Sequence, residues 1–148
     1  MRGFTLIELI LILAIIGVMS LLTLPFLQSF QVSSDLATSG FNLLATLRQA
    51  QRQAQTGQDN SNWGVYFDDG NHQFILFRGD SFASREPSED QVATYSEIFS
   101  FQPDFGDQIV FSLFNGQPSA SGIVQISGPN NQVRVILIAA DGQINIGN

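Results

Sequence analysis

The chain contains no cysteine and no lysine. Without cysteine it can form no disulfide, no thiolate metal site and no cysteine nucleophile, so core packing and backbone pairing alone must hold the fold. Without lysine, six arginines stand against thirteen acids, a formal net charge of −7. An acidic surface of this kind repels phosphate backbones and anionic lipid headgroups. His72 is the single histidine, which excludes a histidine-based triad or a multi-histidine metal site within the chain. Gly-rich phosphate loops and nucleophile elbows are missing as well. An enzyme is therefore the weakest reading: no catalytic residue, metal ligand or cofactor-binding motif stands out.

What the chain does have is one long apolar run near its start. The 148 residues suffice for one such helix and one small domain, with thirteen phenylalanines and one tryptophan to fill a core. Leu9 to Phe26 carries no charge, and a run of that length can span a bilayer as a helix. A single acid, Glu8, sits inside its front end. A charged residue at the centre of a membrane helix costs roughly 2.5–3.5 kcal/mol on insertion scales, less near the interface, so such an acid needs a partner. If the chain is cut between Gly3 and Phe4, the new amino group lies about one helical turn from Glu8. A neighbouring copy, shifted along its axis, can bring its own amine to the same carboxylate and give the stagger between copies a preferred value. The bland alternative is an ordinary signal anchor that contains one Glu. A cleaved secretory signal fits poorly, because the run exceeds the usual 7–15 or so residues and no Ala-x-Ala site follows. Arg2 ahead of the run places the N-terminus in the cytoplasm and everything after about Leu27 outside the inner membrane, as a single-pass protein.

Pro25 removes a helical hydrogen bond near the end of the run, where it either ends the helix or bends it. Beyond it, Leu36, Gly40, Leu43, Leu47, Ala50 and Ala54 recur at spacings of three and four, a stripe on one helix face. A helix over about 5–55 follows, amphipathic in its second half and stopped at Thr56-Gly57. Gly17, Ser20 and Thr23 are small enough to let another helix come close. Arg48 and Arg52, one turn apart, are either contacts to a neighbour's acids or a solvated face near the helix end.

After the polar loop 58–62 the period changes to that of strands. Trp63–Phe67 and Gln73–Phe77 flank the turn 68–72 and read as a hairpin. Residues 85–90 are charged, contain Pro87 and read as an exposed loop. Further strands are expected at 97–101, 108–114, 122–126 and 132–139, with a last turn at Asp141-Gly142 and a return through 143–146. Both faces of 132–139 are mostly apolar, which makes it a central strand. The fold class is thus α+β: a long N-terminal helix, membrane-spanning in its first half and amphipathic in its second, packed on an antiparallel β domain.

Arg2-Gly3-Phe4-Thr5-Leu6-Ile7-Glu8-Leu9 resembles the signal of type IV prepilins and type II secretion pseudopilins. The resemblance extends to Gly17 and Pro25, which match a small residue and a kink in pilin helices. It also takes in the hairpin opening Trp63-Gly64-Val65-Tyr66-Phe67-Asp68 and the closing Asp141-Gly142-Gln143-Ile144, which are similar to minor pilins and pseudopilins with a two-sheet β domain. It implies a pilin-like fold divided into a leader (1–3), a transmembrane and assembly helix (4–27), its amphipathic continuation (28–56) and a β-rich domain (57–148). It implies cleavage by prepilin peptidase between Gly3 and Phe4, N-methylation of Phe4, and an assembly salt bridge from Glu8 to a neighbour's terminus. The partners it implies are copies of the chain or other pilins, the peptidase, membrane lipid before assembly, and an inner-membrane assembly platform with its ATPase. The product would be a periplasmic or extracellular filament.

Three functions follow: a structural subunit of a type IV pilus-like filament, a minor pseudopilin of a type II secretion system, or a DNA-uptake minor pilin, which the acidic balance disfavours. Two smaller motifs read better as ordinary surface. Asp68 and Asp69 read as solvated turn acids rather than, with Asn71, a Ca²⁺ loop, and Arg78-Gly79-Asp80 matches the tripeptide read by integrins only over three letters. Gly3→Val puts a branched side chain beside the expected scissile bond. On a gel of cells expressing the variant, the uncleaved precursor should replace the mature product.

Overall fold

The computed structural model describes residues 3–147, with the side chains of 21–29 left undescribed. The chain is α+β. Its helix α1 is assigned over Leu6–Gln55, and the strands follow it. Two compact units divide the chain, 1–34 and 35–148.

In the first unit the apolar side chains of α1 are exposed all round: Leu6, Ile7, Leu9, Ile10, Leu13, Ile16 and Val18 each leave half or more of their surface open. The expected membrane-spanning first half is corrected here. Among the described residues, no helix is long and apolar enough to cross a membrane. A single-pass placement in the inner membrane therefore gains no support. Pro25, expected at a kink, lies in 21–29, outside the described side chains.

The second unit holds two four-stranded antiparallel sheets. The first has the order β3 (Gln91–Thr94), β2 (Gln73–Arg78), β1 (Trp63–Asp68), β5 (Gln108–Phe111). The second has the order β4 (Ser100–Pro103), β6 (Gly122–Ser127), β7 (Val133–Ile138), β8 (Ile144–Gly147). The β1–β2 hairpin pairs Val65 with Leu76 and Phe67 with Phe74, so those side chains share one face. β5 adds Phe111 opposite Trp63 and Ile109 opposite Val65 on that same face. All of these are buried. In the second sheet Phe101, Val124, Ile126, Ile136, Ile138 and Ile144 do the same. β7 lies between β6 and β8, and its two faces differ: Ile136 and Ile138 are buried while Val133 and Leu137 are exposed.

The helix face that meets these sheets is the stripe read from the sequence. Leu43, Leu47, Ala50 and Ala54 are fully buried and Leu36 nearly so. Gly40 lies against Ile146 and Ile126, where an added Cβ would come within 3.2 Å of the Ile146 side chain. Polar side chains of the helix tie down loop carbonyls. Gln51 Nε2 donates to the carbonyls of Gly116 (3.1 Å) and Gly142 (2.7 Å), and Arg48 Nη2 donates to that of Ile144 at 3.1 Å. The helix ends at Gly57, left-handed at φ 68°. The Ala54 carbonyl accepts from the Gly57 and Phe114 N–H groups, so orphan acceptors at the terminus are satisfied.

The outer face of the first sheet is covered by the segment between β2 and β3. Phe82 stacks on Tyr66 with centroids 3.8 Å apart, and Phe77 meets its edge. Arg85 lies over the other face of the Phe82 ring at 3.7 Å and pairs with Asp90 at 2.8 Å. The charged run 85–90 thus clamps an aromatic cover. Phe77 itself crosses β1 at Gly64, where a Cβ would stand 2.5 Å from its ring and 2.7 Å from the Ile109 carbonyl oxygen.

Burial separates two neighbours on α1. Leu43→Ala should destabilise the second unit by about 2–5 kcal/mol, whereas Phe41→Ala, on the exposed side, should stay within about 0.5 kcal/mol. Thermal unfolding of the full chain in detergent, followed by near-ultraviolet circular dichroism, compares the two.

Candidate assembly interface

The start of α1 is built by Thr5. Its side-chain oxygen accepts from the Glu8 backbone N–H at 3.3 Å, and its carbonyl accepts from the Leu9 N–H at 3.2 Å. Thr5 is therefore the N-cap and Glu8 the third helical residue, the Thr-x-x-Glu spacing of a capping box. That spacing stands in the sequence and went unread there, because Glu8 was weighed only against a charged partner. An acid in the first turn is also favoured by the helix dipole. Among the described residues the Glu8 carboxylate has no side-chain partner, and it is exposed, as is Phe4.

Gly3 and Gly17 stand in open space. A Cβ at either position would meet nothing within 4 Å. A glycine inside a helix costs about 1 kcal/mol relative to alanine, and among the described residues no packing contact accounts for Gly17. Close to it, Leu11, Ala14, Ile15 and Val18 border a shallow apolar groove. Their spacing of three, four and seven residues makes the four-sided hole into which a side chain of a facing helix fits. Ser20 donates its hydroxyl hydrogen to the Ile16 carbonyl at 2.8 Å, which leaves its oxygen only as an acceptor. The geometry brings together an exposed acid at a capped helix start, an apolar cylinder behind it, a small residue and a hole of knob size. It can make a helix–helix contact.

Compared with protein-family models, curated proteins and solved structures, the chain matches none.

The remaining sequence candidates are drawn into the fold. Arg78 reaches Asp59 at 3.7 Å and Asp80 accepts from Asn62 at 2.7 Å, so the Arg-Gly-Asp tripeptide is folded back on the 59–62 loop. Arg48 spends a hydrogen bond on the Ile144 carbonyl, while Arg52 is exposed. At the hairpin turn, Asp68 accepts from the side chains of Asn71 (2.8 Å) and Gln73 (3.0 Å). These bonds, Asn71 first, hold its carboxyl below the usual carboxylate range. Asp69 accepts from the Tyr95 hydroxyl at 3.0 Å. The turn acids are thus engaged by neutral donors, and among the described residues no three acids or histidines converge as a metal site.

Burial, with the Asp69 hydrogen bond and charge added, pushes the Tyr95 phenol well above its ordinary value of 10.0. A group whose pKa is raised by folding contributes stability that is present below its unfolded pKa and lost as pH rises past it. The unfolding midpoint should therefore fall as pH climbs above about 10. In Tyr95→Phe that part of the fall should disappear, which denaturant melts of both proteins across this range will read.

Proposed function

We propose that the chain is a structural subunit of a type IV pilus-like filament, cut between Gly3 and Phe4 by a prepilin-type peptidase, methylated at Phe4 and polymerised through its N-terminal helix. One observation carries this reading: the uncovered apolar surface of α1 over residues 6–19, headed by a single exposed acid. Apolar surface left open to water forfeits about 25 cal/mol for each Å² that a partner would cover, so such a cylinder needs company. Identical helices supply it, and they meet along a surface that carries no charge from Leu9 to Phe26.

The acid then sets the register. Packed among apolar neighbours, Glu8 loses water and requires a cation, and the amine released at Phe4 on an adjacent copy is the one the assembly itself provides. A copy shifted out of register leaves both charges unpaired, a penalty on the scale of 3–5 kcal/mol for a broken buried pair. Gly17 and the hole at Ala14 support close approach of the backbones. The partners are other copies or related pilins, the peptidase, and an assembly platform driven by an ATPase. The filament itself stands in the periplasm or outside the cell.

Glu8→Ala separates processing from assembly. Cleaved subunit should appear at ordinary levels on an immunoblot, while fibres sheared from the cell surface should fall below detection. Wild-type quantities of fibre from this variant would remove Glu8 from its role.

A further inference from the structure

A cleft of about 300 Å³ opens at one end of the first sheet. It lies between the residue before β1, the end of β2, and the loop that follows β5. Asn62, Asp80, Ser112, Gln117, Pro118 and Ser119 line it together with Val110. Its size falls at the lower end of the range for small-molecule sites, about 300–1,000 Å³.

Two of these side chains are fixed before any ligand arrives. Asn62 donates through Nδ2 to Asp80 Oδ1 at 2.7 Å and accepts at Oδ1 from the Leu113 N–H, also at 2.7 Å. Both ends of its amide are thereby oriented. The second Nδ2 hydrogen and the other Asp80 oxygen, Oδ2, remain without a partner among the described residues. They form a donor and an acceptor side by side. Across the cleft Ser119 Oγ accepts from the Val110 N–H at 3.1 Å, which leaves its own hydrogen to donate. Ser112 is turned inward to Asn115 and to the Gln117 carbonyl, and it closes that side. Pro118 and Val110 give a small apolar wall.

The chemistry of the lining narrows the ligand. An anion meets a carboxylate and no cation, because Arg78 is drawn away to Asp59. A divalent cation finds a single carboxylate where it ordinarily takes several oxygen ligands. A neutral ligand with adjacent hydroxyls and a flat C–H face fits both halves: one hydroxyl pair to Asp80 and Asn62, one hydroxyl to Ser119, and the C–H face to Pro118. We propose that this cleft binds a neutral saccharide residue, with Asp80 as its principal acceptor. The proposal is independent of how the helix assembles.

Amide chemical shifts of the ¹⁵N-labelled full chain, held in a phosphocholine detergent so that no sugar headgroup competes, provide the test. The probes are D-glucose, D-galactose, D-mannose and N-acetyl-D-glucosamine. At least one of them should move the amides of Asn62, Ser112, Gln117 and Ser119 together and saturate at millimolar concentration. Asp80→Ala should weaken that binding by about tenfold or more, the loss of one hydrogen bond to a charged group. If Asp80→Ala loses its dispersed spectrum, Ser119→Ala should weaken binding by about three- to tenfold, the loss of one neutral hydrogen bond, with the Asn62–Asp80 pair intact. The proposal is overturned if none of the four sugars moves these amides, or if the variant that stays folded binds as well as the parent. It is also overturned if Ca²⁺ moves the same amides at lower concentration than any sugar.

Discussion

An apolar helix face has to be covered, and this chain meets that demand in two different ways along one helix. Between Leu36 and Ala54 the stripe disappears under two antiparallel sheets, with Leu43, Leu47, Ala50 and Ala54 sealed from water. Between Leu6 and Val18 the apolar side chains stay largely open. The first arrangement closes a core that no disulfide supports. The second leaves an apolar surface open.

The second unit shows how a cysteine-free domain of this size holds itself together. Each sheet gives one face to the shared core, and the other face of the first sheet is closed by a strap rather than by a third layer. Tyr66, Phe82 and Arg85 form a three-deep stack, pinned by Asp90. Buried aromatics contribute large contact areas, and the pinning charge sits at the rim, where it orients the strap more than it stabilises it. The helix adds specificity through Gln51, whose amide joins the loops at Gly116 and Gly142. One side chain thus ties the end of the first sheet to the last turn of the second.

The periodic parts of this architecture were legible in the sequence. The stripe from Leu36 to Ala54, the hairpin around 68–72 and the central position of 133–138 follow from spacing, since burial imposes a period of 3.6 on helices and two on strands. Other parts were not. β3 was missed because Gln91-Val92-Ala93-Thr94 is short, mostly exposed and held by pairing with Ile75 and its neighbours rather than by its own apolarity. The strand expected through Phe114 stops at Phe111, since Leu113 turns its N–H to Asn62 and Phe114 takes φ 67°. The strand expected from Glu97 starts at Ser100, after a turn closed by the Phe99 N–H on the Ser96 carbonyl. The membrane span was expected from the apolar, uncharged run Leu9 to Phe26, and among the described residues no helix is long and apolar enough for it. The candidate interface was legible in Glu8 and Gly17 as residue types and in the Thr5-x-x-Glu8 spacing of the cap, whereas the hole at Ala14 emerges only when the helix is built. The polar cleft draws on four distant segments and leaves no local pattern.

In the proposed filament, the lone acid and the apolar cylinder meet a second copy that bears a freed amine. The most direct measurement is mass spectrometry of the N-terminal peptide from fibres sheared off the cell surface. The account expects a peptide that begins at Phe4 and carries one added methyl group. A peptide from those fibres that still begins Met1-Arg2-Gly3 would contradict it.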